Sequence, residues 1–462
     1  MASGLTALEP VLIKNALLRY ADEVRGALDV LGADSAPSTG FSPGFALPPT
    51  DERLSRFFSA CELAVVDLGT YRGRRLRMLD LMRNPRTKTT KTGPSLVIVA
   101  RAVEFIRRTG EPVLLVSPSS GNKVTALRDA VLRAYETGLA TPEQLGIVVV
   151  VPGTSAHTLW DSPLSTDEAL RLRNPAVTFD GADRADVKML AQSLVDQHGA
   201  AIRADYGVHL WYTLEIGNYL VADVIRACAE DEFLPKADGR LHVHAVSSAY
   251  GLLGHDLGAR RLASQRGGKP TAHYLLVQHL NTADMVLSLY SESASQSNPP
   301  AYRLDEATGL YRQDENPRFP AVTFDPDEIL DPTFYTRRPV TSAKMNAIIQ
   351  QQGGGGIVVS RHEVLQRYPM LRELLGPGGV HLPADPWELR EWSLVMAFTG
   401  LLNAIDRDLL DEKDILVHGS GSYHTGDFTP IPPDRRTAVT GLDDLLRVTR
   451  QAAGTGVTLS TS

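Results

Sequence analysis

The 462-residue sequence predicts an α/β fold of two lobes, each a mainly parallel sheet flanked by helices. Three observations predict it. Gly146-Ile-Val-Val-Val-Val151 is apolar throughout, as a strand buried on both faces must be. A strand–turn–helix unit occurs twice: strand 112–116, a turn at 119–122 and helix 124–135, then strand 241–246, a turn at 247–251 and helix 252–263. Further β-rich runs at 274–277, 357–359 and 414–417 alternate with helical stretches.

Residues 1–75 read as an N-terminal helical segment and linker. A helix is expected over 5–31, and Pro43, Pro48 and Pro49 then mark a stretch that breaks regular structure. A first α/β domain follows over 76–235. In it 95–106 is apolar at helical spacing, with Arg107, Arg108 and Gly110 forming a cationic last turn and stop. A second α/β domain covers 236–462 and carries a long excursion at 293–339 rich in Pro, Asp, Asn and Ser, suited to cover a site or meet a partner. Gly353 to Gly356 read as a flexible turn, because no Lys-Ser/Thr follows them as in a nucleotide loop. There is no internal repeat.

Hydrophobic residues make up 43% and charged residues 22%, the balance of a soluble globular chain with a substantial core. The net charge of −7 arises from interspersed residues with no basic stripe, so nucleic acid is not an expected partner. Cys61 and Cys228 lie far apart and outside metal-ligand spacing, which argues against a disulfide scaffold and for a reducing cytoplasm. Charges interrupt 5–31, leaving neither a secretory core nor a membrane span, and no span is expected elsewhere.

The chemistry concentrates in two runs, Asn84-Pro85-Arg86-Thr87-Lys88-Thr89-Thr90-Lys91-Thr92-Gly93 and Ser119-Ser120-Gly121-Asn122. A lysine beside an Asn-Pro turn at a helix start can hold an aldehyde cofactor, and a Ser-Ser-Gly-Asn turn after a strand can contact that cofactor's ring. The same turn could simply cap a helix, and a lysine in a Lys-Thr-Thr-Lys run is usually solvated. Its position after a parallel strand favours ligand binding.

Residues 84–428 resemble the fold-type-II group of pyridoxal-phosphate enzymes, the tryptophan synthase β superfamily, and within it threonine synthase more than cysteine synthase. Asn84-Pro85 and Lys91 match the family's Asn-Pro-x-x-Ser-Phe-Lys-Asp element with one extra residue between them, and Thr92 stands where the aspartate usually follows. Ser119-Ser120-Gly121-Asn122 match its Ser/Thr-Ser-Gly-Asn loop. Ser247-Ser248-Ala249-Tyr250-Gly251 look like its small-residue phosphate loop, with Ala249 and Tyr250 at positions usually glycine or small and polar. Leu276 to Met285 look like the threonine-synthase strand that ends in Asn-x-Asn-Asp, and Val417-His418-Gly419-Ser420-Gly421 like its Thr-Gly-x-Gly turn, with His418 in the threonine position.

The resemblance implies fold-type-II architecture and pyridoxal 5'-phosphate as cofactor. It implies Lys91 as the Schiff-base lysine with Lys88 the alternative, and Asn122, with Ser119, Ser120 and Gly121, at the ring. Ser247, Ser248, Ala249, Tyr250 and Gly251 would surround the phosphate, and His418 or Ser420 would face the pyridine nitrogen. It further implies a homodimer and a carbon–oxygen lyase or synthase working by β- or γ-elimination or replacement on an amino acid that is O-phosphorylated or similarly activated, while the departures from the family pattern point to specialised rather than central metabolism.

Other signals carry blander readings. His242 and His244 alternate on a strand and share a face, which permits a metal pair, but no carboxylate completes it locally. Packed or hydrogen-bonded histidines are expected instead, and no metal. Ser420 and Ser422 fail the Gly-x-Ser-x-Gly pattern of a hydrolase. Arg83, Arg86, Lys123, Arg260 and Arg261 flank the runs and could hold a substrate phosphate or carboxylate, though exposed arginines are common. Two rival classes remain open: a non-catalytic relative that keeps the scaffold for binding, and a sugar-phosphate isomerase or binding protein using 117–122 as a phosphate turn.

Overall fold

The computed structural model describes residues 9–34, 40–119, 121–181, 183, 186–290 and 298–455. The chain divides into two compact units. One comprises Lys14–Cys61, Asn84–Ala222 and Asp427–Ser462, and is called here the lysine unit; the other, the histidine unit, comprises Met1–Ile13, Glu62–Arg83 and Asp223–Gly426. This differs from the contiguous division expected from the sequence. The strand Arg74–Asp80 pairs in parallel with Asp414–Gly419, which ties it to the later sheet. The strand Thr437–Val439 pairs with Ala176–Phe179 and returns the C-terminal segment to the earlier one.

The lysine unit is built on a five-stranded sheet, every pairing parallel, in the order Thr437–Val439, Ala176–Phe179, Leu145–Pro152, Val113–Pro118, His209–Tyr212. Alternation of apolar and polar residues is absent from its centre: Ile147, Val148, Val149, Val150 and Val151 are all fully buried, as a sheet covered by helices on both faces requires. Val116, Val148 and Val177 pack against Val187 and Leu194 of the helix Asp186–Tyr206 and Leu445 of the helix Leu442–Gly454. The helix Thr92–Thr109 ends as its sequence predicts, with Gly110 left-handed at φ +75° and its N–H returned to the Ile106 carbonyl at 2.8 Å.

The histidine unit carries a seven-stranded sheet in the order Val11–Ile13, Leu63–Tyr71, Arg74–Asp80, Asp414–Gly419, Leu241–Ala245, His273–His279, Gly354–Val359. The first two strands run antiparallel to their neighbours and the other pairings are parallel. The apolar helix Ser393–Asp406 lies in its core, where Leu394, Phe398 and Leu401 cluster with Val243, Val277 and Ile415.

Two expectations are corrected. The opening stretch is not one helix: Val11–Ile13 pairs as an edge strand with Leu63–Tyr71, and the helices Ala16–Arg19 and Ala21–Asp34 follow. The Gly353 to Gly356 run is not a loose turn, because Gly354–Val359 is a strand. Its glycines admit a closely packed helix, since a Cβ on Gly356 would lie 3.0 Å from Val286 Cγ2 of Asp284–Tyr290. The 293–339 excursion contains a small antiparallel sheet, Arg303–Asp305, Leu310–Arg312 and Val322–Thr323; residues 293–297 lie outside the described residues. No helix among the described residues is long and apolar enough to cross a membrane.

Candidate functional site

Both units wind the same way. In the lysine unit the chain moves from Val113–Pro118 outward to Leu145–Pro152 and Ala176–Phe179, then returns to place His209–Tyr212 on the other side of Val113–Pro118. In the histidine unit it moves from Leu241–Ala245 to His273–His279 and Gly354–Val359, then returns with Asp414–Gly419 on the other side of Leu241–Ala245. In each sheet the strand at which the winding reverses leads directly into a loop singled out by the sequence, 119–122 in one and 247–251 in the other. Ligands of open parallel sheets bind outside the carboxyl ends of strands at this reversal.

In the lysine unit, Asn84 latches the segment before Lys91 to the next helix. Its Nδ2 donates to Asp129 Oδ2 at 2.9 Å and to Thr92 Oγ1 at 3.2 Å, while its Oδ1 accepts from the Arg86 backbone N–H and Arg133 Nη2, both at 3.1 Å. Lys91 is thereby set at the N-cap of Thr92–Thr109, half-buried, with Nζ 5.6 Å from the Tyr219 ring centroid. Lys88, the alternative amine, has a left-handed φ of +47° and an ion pair with Asp427.

The loop 119–122 opens the helix Asn122–Glu136, so Asn122 occupies its first turn, where backbone N–H groups lack intrahelical acceptors. Ser119 is buried, Gly121 adopts φ +144°, and Ser120 lies outside the described residues. Lys123 is the residue the sequence underrated. It is buried, its Nζ has no hydrogen-bond partner among the described residues, and it too lies 5.6 Å from the Tyr219 ring centroid. Burial, reinforced by the Lys91 ammonium, pushes its amine well below the usual lysine range. Its sequence signal was a lysine followed by Val124, Ala126 and Leu127, which place it on the core side of the helix.

In the histidine unit, Ala249 is left-handed at φ +53° and caps the helix Tyr250–Gln265. Arg226 packs against Gly251, where a Cβ would lie 2.6 Å from its Nη2, and its Nε donates to Asp223 Oδ1 at 2.7 Å. A helix N-terminus with a guanidinium beside it suits an anion. The excursion reaches this loop: Thr336 N–H donates to Ser247 Oγ at 3.4 Å, and Thr341 Oγ1 to the Ser248 carbonyl at 2.9 Å.

His418 and Ser420 part company. The His418 ring is enclosed with His242, His244 and His255, its Nε2 lying 3.1 Å from His242 Nδ1. Burial lowers the His242 imidazole to about 3 and holds His244 and His418 far down as well, so all three are neutral. Ser420 Oγ, just past the strand's carboxyl end, is buried with no hydrogen-bond partner among the described residues. Of the flanking cations, Arg83 pairs with Glu62, Arg86 with Glu136 and Arg260 with Asp256. These pairs engage them within the chain.

The residues present fit pyridoxal phosphate. Taken unit by unit, the lysine unit offers a half-buried amine and an asparagine at a helix start, and the histidine unit a helix N-terminus with an arginine beside it and, after a strand, a buried hydroxyl with no partner among the described residues, each of a kind that cofactor uses.

A family model described as a family of unknown function (DUF6002) matches residues 12–453. Comparison with curated proteins finds no match. Among solved structures, the pyridoxal-phosphate-bound threonine synthase from Brucella melitensis is 12% identical with a TM-score of 0.54, over 96% of this chain and 92% of that one. The processed form of threonine deaminase isoform 2 from Solanum lycopersicum is 13% identical with a TM-score of 0.45, over 98% of this chain and 99% of that one. The likeness to the threonine synthase structure bears out the expected fold: an α/β chain with parallel sheets flanked by helices, of the fold-type-II kind.

Proposed function

The chain belongs to DUF6002, a family of unknown function, and we propose that it is a pyridoxal-phosphate-dependent enzyme acting on an amino acid. The finer reading is a lyase or synthase that eliminates or replaces a β- or γ-substituent of an activated, O-phosphorylated substrate. One observation carries the proposal: in each unit the loop with cofactor-binding chemistry follows the strand at which the sheet's winding reverses.

When bound, the cofactor would supply an electron sink for the substrate's α-carbon. Lys91, set at the N-cap of the helix Thr92–Thr109, is the amine for its aldehyde. Asn122 serves the ring hydroxyl, the 247–251 loop with Arg226 the phosphate, and Ser420 rather than His418 the pyridine nitrogen. Lys91 Nζ, set by the Asn84 latch, is the group to take a proton from the substrate's α-carbon and return it.

The test is an absorbance spectrum of the full chain with added pyridoxal phosphate, borohydride reduction, and peptide mapping of the fixed adduct, with Lys91→Ala and Lys123→Met alongside. A visible band and an adduct on Lys91 support the reading and justify screening O-phospho amino acids. An adduct on Lys123 reassigns the amine. No band, or label scattered over surface lysines, overturns the proposal in favour of a non-catalytic binding protein.

A further inference from the structure

The neighbouring strands Leu241–Ala245 and Asp414–Gly419 pair with Leu416 opposite His242, so the side chains of His242, His244 and His418 gather on one patch of the sheet. His418 stacks on His244 at 4.0 Å between ring centroids. His255, from Tyr250–Gln265, closes over them at 4.1 Å from His242, and all four rings are buried. Among the described residues, His242 Nε2, His244 Nε2 and His418 Nδ1 have no hydrogen-bond partner. Four imidazoles packed on one another do not satisfy all their ring nitrogens internally, so the cluster is polar and only partly bonded.

We propose that His242, His255 and His418 form a binding site for a divalent transition-metal ion, with zinc the first choice. One ring nitrogen from each lies within 4.8 Å of the others. His242 Nδ1 and His418 Nε2 are 3.1 Å apart. Two nitrogens each about 2.0–2.1 Å from zinc at the tetrahedral angle stand about 3.4 Å apart. An all-imidazole set favours zinc, copper or nickel over magnesium or calcium.

The carboxylate that the local sequence lacks comes from Glu230 on the helix Ile225–Phe233. It lies 2.9 Å from His255 Nε2 and 3.5 Å from His242 Nε2, and is itself fixed by Arg240 at 2.7 Å. Carboxylates behind ligating histidines orient the rings and raise their basicity. His255 would give up one present partner to the ion, the Tyr274 hydroxyl at Nδ1 or Glu230 at Nε2. A cavity of about 270 Å³ is lined by Glu230 and His242. The site pins two central strands to a helix, a structural role independent of the cofactor.

The full chain, stripped with chelator and titrated with zinc chloride, is expected to retain one zinc ion per chain through gel filtration, read by elemental mass spectrometry. His255→Gln and His418→Ala should each weaken uptake at least about tenfold, while a Cys61→Ser, Cys228→Ser double variant should bind as wild type. No retained zinc, or undiminished uptake by both histidine variants, overturns the proposal. Should the histidine variants fail to fold, cobalt(II) loading of the wild type decides. An intense visible band of tetrahedral cobalt without thiolate charge transfer supports the site, and its absence overturns it.

Discussion

Gly121 passes Thr158 so closely that a Cβ on it would enter the Thr158 hydroxyl and stand 3.4 Å from the Thr158 Cβ. The hydroxyl cannot turn away freely, because it donates to the Ser155 carbonyl at 2.7 Å. Gly121 also holds φ +144°, which an L side chain rarely adopts. Gly121→Ala should therefore cost about 2–4 kcal/mol, from about 1 of backbone strain and 1–3 of overpacking. Gly138, at φ +69° with nothing within 4 Å, is the control that carries strain alone, about 1 kcal/mol on substitution by alanine. Urea unfolding of both variants checks this, and equal losses would remove Thr158 from the account.

Lys123 should act against stability. An unpartnered amine in the interior is held neutral there, while the unfolded chain protonates it below about pH 10.4. A lysine with a lowered folded-state value binds fewer protons folded than unfolded, so its penalty is present at neutral pH and fades as pH rises toward the unfolded value. Lys123→Met should unfold at higher denaturant concentration at pH 7, by at least about 2 kcal/mol, with the gain shrinking toward pH 10. A gain independent of pH would mean that the amine is solvated.

The parts of the fold legible in the sequence are those set by local rules. The apolar run at 147–151, the stop at Gly110 and the two strand–turn–helix units depend on periodicity and turn chemistry within a few residues. The division into units depends on pairings such as Leu76 with Ile415 and Val177 with Thr437, which no local pattern announces. The same limit governs the site residues. Lys91 stands beside a recognisable Asn-Pro turn, whereas Glu230 and His255 lie on helices amid charged neighbours and acquire meaning only when helix and sheet pack.

Ser420 separates a ligand role from a structural one. Its Oγ bonds to nothing among the described residues, so Ser420→Ala should leave stability without added cofactor within about 0.5 kcal/mol of wild type. Loss of a hydrogen bond of about 1 kcal/mol to the pyridine nitrogen should weaken pyridoxal-phosphate binding about fivefold. Fluorescence titration together with thermal melting reads both quantities. A large loss of stability with unchanged cofactor affinity would make the hydroxyl a packing element.

Asp331 is buried beside Glu391, and burial, with the Glu391 charge added, pushes its carboxyl up to about 8. Its oxygens accept from the Thr333 and Trp392 backbone N–H groups, each at 2.7 Å, which offsets only part of that rise. A carboxyl raised on folding binds more protons folded than unfolded, so stability falls as pH climbs from about 4 toward 8 and then levels. Glu391→Gln removes the neighbouring charge while its amide oxygen can still accept from the Ser393 N–H, seen at 3.2 Å. The variant should match wild type near pH 4 and exceed it by about 1 kcal/mol at pH 8, since a tenfold change in proton affinity corresponds to about 1.4 kcal/mol. Chemical denaturation across that range reads the difference, and a gap that stays constant with pH would remove the Glu391 charge from the causes of the Asp331 rise.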